Sequence, residues 1–174
     1  MKKIGLFYWP IKGNVESCAT RIFNKFSNEG IEMHCIDKIS DIQFEKYDLF
    51  IVGGSTVGAD VWEKTADGNH WSDFFKKVEK AELKDRPVAI FGLGDQVLYP
   101  DHFVDGMKII RDEFEIAGAK LIGRWPTDGY EFTASDSVEG DKFLGLALDE
   151  DQQEELTDER INIWIKQISK EADV

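Results

Sequence analysis

The stretch Val88-Ala89-Ile90-Phe91-Gly92-Leu93-Gly94-Asp95 decides the fold, because an uninterrupted apolar run passes directly into glycines and an acid. The runs at residues 4–8 and 49–52 are also mostly apolar and lack the apolar–polar alternation of a half-exposed strand. Strands that are covered on both faces have such sequences, as in a parallel sheet that lies between helices. Residues 31–36 and 120–123 are weaker strand candidates.

Segments with helical periodicity separate these strands. A first helix presents one apolar face, formed by Val15, Cys18, Ala19, Ile22 and Phe26. We expect it to end at Gly30 and to be followed by helices over 71–78, 103–114 and 161–168, the last with Thr157 as its N-cap. Strands that alternate with helices through right-handed crossovers predict an α/β fold. This fold is a doubly wound, five-stranded parallel sheet with helices on both faces.

Length and composition limit the function classes. The 174 residues, 42% of them hydrophobic, predict a single domain over residues 1–174. No apolar run reaches the roughly 18 residues of a membrane span, and we find no signal peptide, so a cytoplasmic location is the default expectation. The formal charge of −13 argues against nucleic acid and anionic membranes as partners and favours a basic partner surface. We expect a monomer, with Cys18 and Cys35 as free thiols.

The position of the ligand site follows from the predicted sheet. In open α/β sheets, ligands bind beyond the carboxyl ends of the strands, where the strand order reverses. That rule selects three loops, at residues 9–15, 53–60 and 92–99. Each contains glycine, which permits close backbone approach to a ligand. Because any tight turn between a strand and a helix also needs glycine, the glycines alone do not identify the ligand.

Four motifs are similar to those of the long-chain flavodoxins. They are residues 3–8 with Gly13, Glu16 and Ser17, then residues 91–103, residues 125–132, and residues 143–151 followed by Leu156 and Thr157. The resemblance spans nearly the whole chain and implies the sheet order 2-1-3-4-5, of which flavodoxins are themselves a standard example. It also implies non-covalently bound FMN and low-potential one-electron transfer between a reductase and an acceptor. Such a protein is an electron carrier rather than an enzyme with substrate turnover.

The loop that matches the family's phosphate-binding loop departs from the family pattern, T/S-x-T-G-x-T. The matching residues here are Pro10, Lys12, Gly13 and Val15, so three hydroxyl donors are missing, and proline also lacks a backbone N–H. Each hydrogen bond to a charged group contributes about 1.5–3 kcal/mol, so we expect a weaker hold on phosphate. Lys12 either returns part of this affinity as a point charge or is an ordinary exposed lysine, and Asn14 is another candidate donor.

The residues that would flank a flavin ring are also altered. Tyr99 matches the family's outer stacking aromatic, whereas Val57 stands where an inner aromatic is usual. Trp62 is a candidate replacement, and Trp9 either approaches the ligand or blocks the phosphate. Gly58 either offers its carbonyl to the flavin or is a simple turn glycine. The candidate cofactor-binding residues are Trp9, Pro10, Ile11, Lys12, Gly13, Asn14, Val15, Ser55, Thr56, Val57, Gly58, Trp62, Gly92, Leu93, Gly94, Asp95 and Tyr99.

Other functions remain open at this point. The altered loop makes the main alternative a flavodoxin-like binding or regulatory domain that has lost or changed its flavin ligand. An NAD(P)H-dependent reductase lacks support from a GxGxxG motif, and a phospho-receiver domain would need acids where Trp9 and Gly53 stand. The three histidines are scattered, and no metal-ligand spacing occurs.

Overall fold

The computed structural model describes residues 2–26, 30–40, 42–57 and 70–174. Its strands are β1 Ile4–Trp9, β2 Ile31–Cys35, β3 Leu49–Gly54, β4 Pro87–Leu93, β5 Lys120–Ile122, β6 Trp125–Pro126, β7 Val138–Glu139, β8 Lys142–Phe143 and β9 Leu146–Leu148. Its α-helices are α1 Asn14–Lys25, α2 His70–Glu79, α3 Gly106–Ile116 and α4 Thr157–Ala172. None of the helices within these described ranges is long and apolar enough to cross a lipid bilayer.

Parallel pairing places the strands in the order β2-β1-β3-β4-β5, which confirms the predicted sheet. Helices α2 and α3 lie on one face, where the rings of Phe50 and Phe114 are 5.8 Å apart between centroids. Helices α1 and α4 lie on the other face, where Leu6 and Trp164 are fully buried. Burial on both faces explains why the central strands show no apolar–polar alternation.

The fifth position of the sheet is shared by two strands. β5 pairs with residues 87–89 of β4, and β9 pairs with residues 91–93. The chain between them forms a small antiparallel sheet, β6-β8-β7. Tyr130 donates a hydrogen bond from its hydroxyl to the carbonyl of Ala147 at 2.6 Å, and Phe143 is fully buried, so this insertion packs on the main core.

Two helix starts differ from the prediction. α3 begins at Gly106, and Phe103, which was expected on this helix, is buried in the loop before it. Thr157 is wrong as an N-cap, because it is the first residue of α4 and its hydroxyl donates to the Glu150 carboxylate. Its backbone is already helical (φ −59°, ψ −49°), whereas an N-cap residue has non-helical dihedral angles.

Candidate functional site

A cavity of about 460 Å³ opens at the carboxyl edge of the sheet. It lies where the chain leaves β1, β3 and β4, through the β1 loop (residues 10–13), the β3 loop (residues 55–57) and the β4 loop (residues 94–99). Pockets of roughly 300–1,000 Å³ hold small ligands and cofactors. The predicted site residues that line this cavity are Pro10, Asn14, Val15, Ser55, Thr56, Val57, Leu93, Gly94, Asp95 and Tyr99.

The other predicted site residues lie elsewhere. Trp9 packs against His70, with 4.5 Å between ring centroids, at the start of α2. Gly92 belongs to β4, where an added Cβ would lie 2.5 Å from Met107 Cγ. The predicted residues that do not line the cavity are Trp9, Ile11, Lys12, Gly13 and Gly92, and those outside the described residues are Gly58 and Trp62. Their proposed contacts with a cofactor stay predictions.

The structure adds lining residues that the sequence reasoning missed. They are His102, Val104, Asp105, Gly106, Ile109, Glu150 and Asp151. The last two follow β9, which is parallel to β4 and ends at the same edge of the sheet, so the motif at residues 143–151 contained the signal for them. Gly106 lets α3 begin close to the β3 loop, because an added Cβ would lie 2.5 Å from the carbonyl oxygen of Ser55.

A carboxylate organises the β1 loop. Glu16 accepts hydrogen bonds from the N–H of Lys12 (2.7 Å, Oε2) and from the hydroxyl of Tyr8 (2.8 Å, Oε1). These two donors, the Lys12 N–H first, hold the pKa of Glu16 below its ordinary value. The N–H of Lys12 is therefore already bound to an anion that belongs to the chain, in the loop that the resemblance assigns to phosphate.

A second carboxylate, on Asp95, organises the β4 loop. Its Oδ1 accepts hydrogen bonds from the N–H groups of Val97 and Leu98, both at 2.9 Å, and from Nε2 of Gln152 at 3.2 Å. Burial alone would raise the pKa of Asp95, but the donors from Leu98, Val97 and Gln152 outweigh it and lower the pKa. Asp95 thus fixes the conformation of the loop that ends at Tyr99.

A buried amide joins the β4 loop to the rest of the edge. Gln96 donates to Oδ2 of Asp149 from its backbone N–H (3.0 Å) and from Nε2 (2.9 Å), and its Oε1 accepts the N–H of Glu131. Asp149, which is fully buried, also accepts the N–H groups of Asp151 (3.1 Å) and Gln152 (2.9 Å). One hydrogen-bond network therefore joins the β4 loop, the insertion between β5 and β9, and the residues that follow β9.

The cavity is acidic. The carboxylates that line it belong to Asp95, Asp105, Glu150 and Asp151, and the described lining contains no Lys or Arg. The side chain of Glu150 is only 6% exposed, and its carboxylate accepts the Thr157 hydroxyl and lies 3.6 Å from Arg21. Among the described residues, no group of three or more His, Cys, Asp or Glu side chains is placed to hold a metal ion.

Comparison with known proteins connects this geometry to a family. The model of the flavodoxin family matches residues 6–164. Flavodoxin 1 of Escherichia coli is 40% identical over 168 residues, which are 96% of this chain and 93% of that protein. The flavodoxin of a Nostoc species is 36% identical over 170 residues, which are 98% of this chain and 97% of that protein.

A solved structure agrees with these relatives. The flavodoxin of Fusobacterium nucleatum, crystallised with flavin mononucleotide, superimposes with a TM-score of 0.84 at 28% identity, over 98% of this chain and 99% of that one. The match to the family model and the identity to the relatives extend over nearly the whole length. The chain belongs to the flavodoxin family.

Proposed function

We propose that this chain binds FMN non-covalently in the cavity described above and acts as a low-potential one-electron carrier, not as an enzyme that turns over a substrate. One observation carries the assignment. The loops after β1, β3 and β4 enclose a cofactor-sized cavity at the carboxyl edge, in a chain of the flavodoxin family. The F. nucleatum relative, which has the same fold, binds FMN. The cavity and the family both argue against a flavodoxin-like domain that has lost its flavin.

The lining of the cavity fits an aromatic ring system. Val57, Leu93, Val104 and Ile109 supply apolar walls. Tyr99, which is half exposed at the rim, supplies an aromatic face. A stacked aromatic pair contributes about 0.5–1.5 kcal/mol beyond the burial of its area. Because Val57 is aliphatic, we propose that stacking comes from one side and apolar contact from the other.

The fit is weaker for the anionic end of the cofactor. Asn14 and Val15, the first residues of α1, line the cavity, and the preceding Gly13 makes no side-chain cap. The partial positive charge at a helix N-terminus stabilises a nearby anion by about 0.3–2 kcal/mol. The Glu16 carboxylate in the β1 loop opposes this attraction. We therefore infer that the ring system supplies most of the affinity.

The acidic lining should lower the reduction potential of bound FMN. FMN, when bound, supplies the one-electron chemistry, and its reduced form is an anion. Carboxylates in a site of reduced dielectric disfavour an additional negative charge. Glu150 is paired with Arg21, but the described lining contains no Lys or Arg, so we propose that the remaining lining carboxylates lower the reduction potential.

The net charge of −13 also supports a proposal about partners. Redox partners with basic surfaces would be attracted over several ångströms, and their association would slow as salt screens the charges. We further propose that residues 1–174 act as one domain, as a monomer, in the cytoplasm.

Reconstitution tests the proposed function. The purified apoprotein is titrated with FMN, and the holoprotein is then reduced stepwise with dithionite in a spectroelectrochemical cell. We expect one FMN per chain and a reduction potential below that of free FMN. Tyr99→Ala should weaken the affinity about tenfold, because the stacking face is lost. A folded protein that does not bind FMN would contradict the proposal.

A further inference from the structure

His102 is the one side chain in the described cavity lining that carries a positive charge when it is protonated. The acids of that lining are carboxylates, and the lining contains no Lys or Arg. Of the other two histidines, His34 lies on β2 and His70 at the start of α2, and neither lines the cavity. Because an imidazole gains or loses its charge near neutral pH, the charge of the lining in this range depends on His102.

Asp105 holds the ring of His102 in a defined orientation. Nδ1 of His102 lies 3.0 Å from Oδ2 of Asp105, three residues further along the chain. A carboxylate accepts hydrogen bonds, so Nδ1 carries the hydrogen of this pair, and Nε2 is the nitrogen that takes a proton when the neutral ring becomes charged. The other carboxylate oxygen, Oδ1, accepts the N–H of Asp136 at 2.8 Å, which fixes Asp105 in turn.

The ring of His102 reaches both the cavity and the solvent. It lines the cavity, yet its side chain is 56% exposed, whereas that of Asp105 is 23% exposed. The next residue, Phe103, is fully buried and anchors the backbone at this point. A side chain this exposed exchanges protons with water directly, so no other residue has to carry them.

The charges around His102 are mostly negative. The acids and cations of the surrounding loops and helices are Asp95, Tyr99, Asp101, Asp105, Asp136, Glu150, Asp151, Arg21 and Lys108. Both cations are paired with carboxylates, since Lys108 Nζ lies 2.5 Å from Asp112 and Arg21 lies 3.6 Å from Glu150. An electron that enters the cavity adds one more negative charge to this set, and that charge favours the protonated form of His102.

We propose that His102 is the residue that couples electron uptake in the cavity to proton uptake from solvent. This inference rests on the proposed function and adds the residue that sets how the reduction potential depends on pH. When the electron that makes the cofactor anionic enters the cavity, His102 takes one proton from solvent at Nε2 and becomes an imidazolium ion, so the total charge of the site is unchanged. Asp105 is a positioning residue, which stabilises the imidazolium through Nδ1. By linkage, the proton and the electron raise each other's affinity by the same factor.

Reduction potentials measured against pH test this coupling. The FMN-reconstituted protein is reduced stepwise in a spectroelectrochemical cell from about pH 8.5 to about pH 5, on both sides of the ordinary histidine range. The equilibrium constant for uptake of that electron, relative to the constant for His102→Gln, should rise about three- to tenfold as the pH falls, because the imidazolium stabilises the reduced cofactor. Where the ring is neutral, the two proteins should agree. Protons that the flavin itself binds affect both proteins alike, so the difference isolates His102.

The matched control is His70→Gln, which makes the same change at an exposed histidine that does not line the cavity. It should follow the wild-type pH profile. Asp105→Asn should weaken proton binding to His102 in both redox states and move the effect to lower pH, because one negative charge beside the imidazolium is lost. Proton NMR of the His102 ring in the wild type gives a second reading. Full reduction should tighten proton binding there by the same three- to tenfold factor.

Each outcome has a defined consequence. Parallel pH profiles for the wild type and His102→Gln would overturn the coupling, and an equal change in His70→Gln would overturn its assignment to His102. An NMR titration of His102 that is the same in the oxidised and the fully reduced wild type would also overturn it, without recourse to any variant. A folded wild type that does not bind FMN defeats the proposed function, whereas normal FMN binding with parallel profiles defeats only the role of His102.

Discussion

The β1 loop and the β4 loop border the same cavity but are held in different ways. In the β4 loop, the carboxylates of Asp95 and Asp149 accept a set of backbone and amide N–H groups within the protein. In the β1 loop, the partly exposed Glu16 holds the N–H of Lys12, and Pro10 has no N–H to offer. The β4 loop is thus held by hydrogen bonds within the chain, whereas the β1 loop has one backbone N–H already bound to Glu16 and lacks another at Pro10. If the β4 loop borders the flavin ring and the β1 loop its phosphate, as proposed, the ring end of the site is the better prepared of the two.

The largest loss of stability should follow removal of the fully buried carboxylate of Asp149. Asp149→Ala leaves four N–H donors without their carboxylate, two buried on Gln96 and two partly buried on Asp151 and Gln152. Unsatisfied buried donors cost about 1–3 kcal/mol each, partly recovered by water, so we expect a loss of roughly 3 kcal/mol in the free energy of unfolding. Urea denaturation measures it, with the exposed loop variant Asp128→Ala as the control. Equal stabilities of the two variants would show that the hydrogen bonds to Asp149 do not stabilise the β4 loop.

The next effect concerns the charge on Asp95 and depends on pH. The donors from Leu98, Val97 and Gln152 outweigh burial, so the pKa of Asp95 in the folded chain lies below its ordinary value of 3.8. A carboxyl group with a lowered folded pKa adds stability above its unfolded pKa, and that stability is lost as the pH falls through the folded pKa. Wild type should therefore lose this contribution from about pH 4 downward.

The isosteric Asp95→Asn isolates that charge. At neutral pH it should lower the free energy of unfolding by about 1–2 kcal/mol, because a charged acceptor becomes neutral. Its stability should also fall less steeply on acidification than that of the wild type. Urea denaturation at several pH values checks both expectations. Parallel pH profiles for the two proteins would show that the Asp95 charge does not stabilise the β4 loop.

A smaller effect is expected in the β1 loop. Glu16→Gln removes the negative charge but keeps a side-chain oxygen that can accept the N–H of Lys12. We expect FMN affinity to rise about three- to tenfold while riboflavin affinity stays the same, because only FMN carries a phosphate. Fluorescence titration of the apoprotein measures both. A parallel change for the two flavins would mean that Glu16 acts on the fold of the loop and not on the charge of the ligand.

The sheet and the three loops could be predicted because their signals are local. Apolar runs such as Leu49-Phe50-Ile51-Val52 lack alternation wherever helices cover both faces, and the parallel order brings their carboxyl ends to one edge. The hydrogen bond from the N–H of Lys12 to Glu16 is also local, because the two residues are only four positions apart in the sequence.

The buried network could not be predicted in this way. Gln96 and Asp149 are 53 residues apart, and nothing in their immediate neighbours indicates that they pair. The role of Thr157 was also mispredicted, because the preference of threonine for N-caps does not show that this residue already lies inside α4. Hydrogen bonds between residues that are far apart in the sequence depend on tertiary packing, and sequence periodicity does not indicate them. The roles of Lys12, Gly58 and Trp62 towards a cofactor stay predictions.

The contrast between the two loops is tested most directly by the ratio of the dissociation constants for riboflavin and FMN. We propose that the flavin ring supplies most of the affinity and that the N-terminus of α1 alone attracts the phosphate. FMN should then bind no more than about thirtyfold more tightly than riboflavin. Both constants come from quenching of flavin fluorescence by the apoprotein under identical conditions. A preference for FMN of about a thousandfold or more would contradict the account, because it would require a phosphate site that the β1 loop does not display.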